Sequence, residues 1–103
     1  MIKLVENKFE SITCFCKEYK VKNLVLFGSA VDEKNFDDQK SDIDFLVEFL
    51  PMEPVEHSRA YFKLLESLQD LFMLPVDLVE IKAVHNPYLL QSINKNQRQI
   101  YAA

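Results

Sequence analysis

Three aspartates and a Gly-Ser pair have the types and spacing to do chemistry. Asp42 and Asp44 alternate with Ile43 and Phe45 inside an apolar run, and a strand's side-chain period of two puts both carboxylates on one face. Asp77 stands between Val76 and Leu78 near the start of another apolar run, where a carboxylate is costly unless something compensates it. Gly28, the single glycine of the chain, closes the run 24–27 and is followed at once by Ser29. Glycine lets a backbone approach a phosphate closely, and turn amides with a serine hydroxyl can donate hydrogen bonds to it. Hard carboxylate oxygens favour magnesium, held together with substrate phosphates and water. Two such ions activate an attacking oxygen and stabilise a leaving one in phosphoryl or nucleotidyl transfer. Each feature alone is ordinary, since Gly-Ser after an apolar run is usually only a turn. Their combination points to a metal-phosphate site at Gly28, Ser29, Asp42, Asp44 and Asp77.

The elements that must position these groups follow from hydrophobic periodicity. Val5, Phe9, Ile12, Phe15, Cys16 and Tyr19 recur at helical spacing and predict a first helix over 3–19. The unbroken run 24–27 predicts a buried strand. Residues 30–40 carry no periodicity and read as a loop; 41–49 reads as a second strand, ended by Pro51 and Pro54. Tyr61, Leu64, Leu65, Leu68, Leu71 and Phe72 form the stripe of a helix over 55–72, and Leu74-Pro75 breaks it before a third strand, 76–81. Asn86-Pro87 reads as a helix start, with a last helix running to about residue 101. The order is α-β-β-α-β-α.

Strand two, its helix and strand three form a βαβ unit, expected to be parallel and right-handed. Strands one and two, joined without a helix, should pair antiparallel. This predicts an α/β (α+β) fold, a small mixed sheet with helices packed against it, and a single domain over 1–103. Parallel pairing brings Asp77 beside Asp42 and Asp44, and antiparallel pairing brings Gly28-Ser29 to the same corner. Like-charged carboxylates at such spacing repel one another unless protonated or bridged by cations.

Composition narrows the function classes. At 103 residues and 49% hydrophobic, the chain supports one modest core. No apolar run is long enough to cross a bilayer, and no signal-like segment opens the chain, which predicts a cytoplasmic protein. The net charge is −4 and the two arginines are Arg59 and Arg98, so no basic stripe exists to track a nucleic-acid backbone. Cys14 and Cys16 lie two apart on a helix and point in separate directions, which suits free thiols. His57 and His85 lack metal-ligand partners at a recognisable spacing and read as surface or capping residues. Lys82 reads as solvated, and Tyr61, Tyr88 and Tyr101 as core or interface aromatics.

The run LVLFGSA…SDIDFLVEF followed by PVDLVE resembles the minimal nucleotidyltransferase family of the DNA polymerase β-like superfamily, and NPYLLQSI near the end resembles it too. The likeness covers nearly the whole chain. It implies magnesium-dependent transfer of a nucleoside monophosphate, most often AMP from ATP, to a hydroxyl acceptor. By that resemblance Asp42 and Asp44 bind two metal ions, Asp77 binds one and serves as general base, and Gly28 and Ser29 hold the triphosphate. It further implies an antitoxin paired with a helical HEPN-type toxin and adenylylating it, typically on a tyrosine. Family members commonly carry arginine and glycine between the Gly-Ser and the Asp-x-Asp. Here the segment is AVDEKNFDDQK, with Lys34 and Lys40 as its cations. That departure motivates an alternative, an antitoxin that neutralises its partner by binding alone. A further alternative is nucleotidylation of a small molecule with a separate acceptor subunit.

Overall fold

The computed structural model describes residues 1–34, 36–37 and 41–103. The chain runs α1 (Lys3–Glu6), α2 (Phe9–Glu18), β1 (Val21–Phe27), a 3-10 turn (Gly28–Val31), β2 (Ile43–Phe49), α3 (Pro54–Phe72), β3 (Val76–Glu80), a second 3-10 turn (Ile81–Ala83), α4 (Pro87–Lys95) and β4 (Gln97–Ala102). The four strands form one mixed sheet in the order β3-β2-β1-β4. β2 and β3 are parallel, and β1 is antiparallel to both β2 and β4.

Alternation along the strands divides the sheet into two faces. Leu24 and Leu26 of β1, Ile43, Phe45 and Val47 of β2 and Leu78 of β3 pack with Ile12 and Cys16 of α2 and with Ala60, Leu64, Leu68 and Phe72 of α3. The last four repeat every fourth residue, the row a helix presents along one side. Met73, in the left-handed region at φ 54°, ends α3 with its N–H on the Gln69 carbonyl. The opposite face is thinner, with Phe27 and Leu46 covered by Ile93 of α4 and flanked by Val25, Val79, Val84 and Leu89. The carboxylates belong to this thinner face.

Three expectations need correction. The predicted first helix is two helices, broken at Asn7-Lys8. The break allows Ile2 and Val5 both to be buried while the Ile2 N–H donates to the Ala30 carbonyl at 3.0 Å. The predicted loop 30–40 begins inside the 3-10 turn, with Ala30 and Val31 buried; Asn35 and 38–40, Lys40 among them, lie outside the described residues.

The third correction is the largest. The helix expected to reach residue 101 stops at Lys95, and Gln97–Ala102 is a strand along the free edge of β1. Ile93 and Ile100 are seven apart and both buried, a spacing that satisfies a helical stripe. Local pattern alone therefore favours a continued helix. An open β1 edge is a row of unpaired amides and carbonyls, and covering it outweighs that local preference. Among the described residues no helix is long and apolar enough to cross a membrane.

Candidate active site

β1 and β2 pair with Phe27 opposite Asp44, and β2 and β3 pair with Asp44 opposite Asp77. Paired residues share a sheet face, so Phe27, Asp44 and Asp77 form a row across three adjacent strands. Gly28 follows Phe27 with φ +76°, a conformation that side chains rarely adopt. A Cβ placed on it would lie 2.5 Å from Oδ2 of Asp44. The turn requires the glycine, and a side chain there would also displace the Asp44 carboxylate seated against it. Ser29 is half-buried in the same 3-10 turn, and its carbonyl accepts from the Asp32 N–H at 3.3 Å. The Ile2–Ala30 hydrogen bond ties the N-terminal arm to this turn.

Asp42 lies just before β2 and is exposed, as is Asp77, whereas Asp44 is half-buried. Burial, reinforced by the Asp77 and Asp42 carboxylates, pushes Asp44 up from the ordinary carboxylate range to about 6. The structure thus brings Asp44 and Asp77 into register, seats Gly28 on Asp44, and puts Asp42 close enough to act electrostatically on it. Among the described residues no three His, Cys, Asp or Glu side chains already converge as a metal cage.

Two α3 residues that read from the sequence as a surface or capping histidine and a core or interface aromatic, His57 and Tyr61, bond to β3 beyond Asp77. The Tyr61 hydroxyl donates to the backbone carbonyl of Leu78, the next residue along β3, at 2.6 Å. Burial, then the Glu80 and Asp77 carboxylates, raise the Tyr61 hydroxyl above its ordinary value. His57 pairs with Glu80 at the end of β3. Nothing in the sequence marked either contact, because both join residues of α3 and β3 that only the βαβ packing brings together. Glu80, His57 and Lys82 line a cavity of about 330 Å³ with the C-terminal residues of β2. That cavity lies at the other end of β2 from Asp42 and Asp44.

Comparison with known proteins places this geometry. Residues 10–103 match the model of the family described as polymerase beta, nucleotidyltransferase. The chain belongs to that family. It is 39% identical over 79 residues to the provisionally named protein adenylyltransferase MJ1379 of Methanocaldococcus jannaschii, covering 77% of this chain and 76% of that protein. A second provisionally named protein adenylyltransferase of that organism, MJ0128, is 41% identical over 80 residues, covering 78% and 76%. Among solved structures, a toxin–antitoxin with AMP-PNP superposes with a TM-score of 0.66 at 21% identity, over 92% of this chain and 73% of that one. A complex of a tri-AMPylated Shewanella oneidensis HEPN toxin with an MNT antitoxin gives a TM-score of 0.64 at 20% identity, over 95% and 72%. These two likenesses establish the nucleotidyltransferase fold, in which the row Phe27–Asp44–Asp77 and the Gly28–Val31 turn occupy one corner of the sheet.

Proposed function

We propose that this nucleotidyltransferase transfers AMP from ATP to a hydroxyl, with a tyrosine of a helical HEPN-type toxin as the acceptor, and thereby acts as that toxin's antitoxin. The observation that carries the reading is Gly28 seated against Oδ2 of Asp44 in a row that continues to Asp77. Further support comes from relatives that bear the name protein adenylyltransferase and from the fold shared with an antitoxin bound to an AMPylated toxin.

The donor set suits magnesium. Carboxylate oxygens are its preferred protein ligands, and a divalent cation offsets both the burial and the carboxylate repulsion that push Asp44 up to about 6. Asp42, Asp44 and Asp77 would close on the metal. When bound, magnesium supplies Lewis-acid polarisation of the transferring phosphoryl group and charge neutralisation. The residues of the chain account for the rest. Gly28 and Ser29 present a turn whose amides and hydroxyl hold phosphate oxygens. Asp77 faces the acceptor and takes the proton of its hydroxyl. The hydroxyl oxygen bonds to the α-phosphorus, the bond to the bridging oxygen breaks, and pyrophosphate leaves with its electron pair. Tyr61, through the Leu78 carbonyl, keeps the β3 backbone beside Asp77 in register.

The test is incubation of the purified chain with α-labelled ATP, magnesium and a HEPN-type toxin as acceptor. Label should appear on a tyrosine of that protein and disappear on Asp42→Ala with Asp44→Ala. Label that persists in the double variant overturns the mechanism. The acidic segment after Val31, with Asp32, Glu33 and Asp37 against Lys34 among its described residues, favours a second reading, neutralisation by binding alone. Full suppression of the toxin by the unlabelling double variant would select it.

A further inference from the structure

Residues 30–40, between the Gly-Ser turn and the Asp-x-Asp, contain no arginine and carry only Lys34 and Lys40 as cations, so the anionic tail of a triphosphate calls for further donors. β4 lies against the Gly28–Val31 turn, and its first residue, Gln97, pairs with Phe27. The side-chain direction of Gln97 follows from its neighbour. Gln99 Nε2 donates to Oδ1 of Asn23 at 3.1 Å, and Asn23 Nδ2 donates to Glu48 at 3.2 Å, so Gln99 shares the face of the carboxylate row. Gln97, two residues earlier and before any irregularity in the pairing, shares it too. The row is therefore four residues long: Gln97, Phe27, Asp44, Asp77. Gln97 stands two strand spacings, about 10 Å, from Asp44, on the side of the Gly-Ser turn and away from Asp77.

Lys95, the last residue of α4, precedes Gln97 by two. Both are exposed, and among the described residues Lys95 forms no ion pair and Gln97 no side-chain hydrogen bond. A lysine in the last turn of a helix complements the helix dipole. The dipole does not account for an unengaged amide facing the carboxylate row beside it.

We infer that the α4–β4 junction, through Lys95 and Gln97, is the second half of the triphosphate grip and holds the β- and γ-phosphates that depart as pyrophosphate. This rests on the nucleotidyl-transfer reading above. Lys95 supplies a point charge, a common way of holding phosphate, and the Gln97 amide donates to a non-bridging oxygen. Asp44 and Asp77 then act at the α-phosphorus, with the acceptor on the far side.

Magnesium-ATP, tripolyphosphate and AMP binding should be measured by calorimetry for the wild type, Lys95→Ala, Gln97→Ala, the double variant and Lys95→Arg. Thermal melts confirm that these exposed positions leave the fold intact. Loss of one charge-assisted hydrogen bond weakens binding about tenfold. The expected result is that loss for ATP and for tripolyphosphate in Lys95→Ala, a smaller loss in Gln97→Ala, no change for AMP, and recovery in Lys95→Arg. Unchanged ATP affinity in the double variant, with labelled transfer to the acceptor intact, overturns the grip and leaves the nucleotidyl-transfer reading standing. Equal weakening of ATP and AMP also overturns it, by placing the two residues at the nucleoside. A wild type that binds neither ATP nor tripolyphosphate overturns both.

Discussion

The two ends of β2 handle charge in opposite ways. At its C-terminal end, Glu48 accepts from Asn23 and lies 3.9 Å from the Lys22 ammonium, and nearby Glu80 is matched by His57. At its N-terminal end, burial and then the Asp77 and Asp42 carboxylates push Asp44 up to about 6. Among the described residues no ion pair relieves it. One end satisfies its carboxylates within the fold, and the other leaves them for something the fold does not contain. Perturbed carboxylates cluster at functional sites, and this contrast is what makes the N-terminal end of β2 the candidate site.

The sharpest way to break the contrast is to remove the central charge. Asp44→Ala should lower labelled transfer to the HEPN-type acceptor by about a thousandfold or more, the scale expected for removing a group that acts on the transition state. Glu48→Gln at the other end should leave the rate within about twofold. Comparable losses in both variants would show that the two ends are functionally alike.

Gly28→Ala comes next. The backbone cost of a left-handed non-glycine residue is about 1–2 kcal/mol. The added Cβ also meets Asp44 Oδ2, the free end of a side chain that can turn aside at little cost to the fold. The variant should therefore melt only modestly lower yet lose about ten- to a hundredfold in rate, since displaced catalytic groups are penalised steeply. A rate loss no larger than the stability loss predicts would separate Gly28 from the site.

Much of this site was legible because it depends on pairing rules. Antiparallel β1–β2 follows from a connection without a helix, and parallel β2–β3 follows from α3 between them. Together they set Gly28, Asp44 and Asp77 at one corner. β4 was not legible, because Ile93 and Ile100 satisfy a helical repeat and only the open edge of β1 decides against it. Gln97 was hidden for the same reason. His57 and Tyr61 were hidden by distance in sequence, since each acts on β3 from across the βαβ packing. Periodicity reports which face a residue takes and says little about which partner waits there.

The smallest expected effect is also the most direct reading of the charge contrast. In the unfolded chain Asp44 titrates near 3.8, and in the fold it rises to about 6. A carboxyl whose folded value is raised contributes stability that is fully present below the lower value and lost as pH climbs through the higher one. The metal-free protein should therefore lose stability between about pH 4 and pH 7 on account of this group. A shift of this size, discounted for a half-exposed side chain, is worth about 1 kcal/mol. Asp44→Asn removes the ionisation. Its melting temperature in chelator should exceed that of the wild type at pH 7.5, and the two should converge only as pH falls below about 3.8, where Asp44 is protonated in both the folded and the unfolded chain. Magnesium should then raise the wild-type melting temperature more at pH 7.5 than at pH 5, and raise that of Asp44→Asn less at pH 7.5. Identical metal-free melting curves for the two proteins at pH 7.5 would mean that neither burial nor the neighbouring carboxylates destabilise ionised Asp44, and the electrostatic case for a cation at this corner would fall.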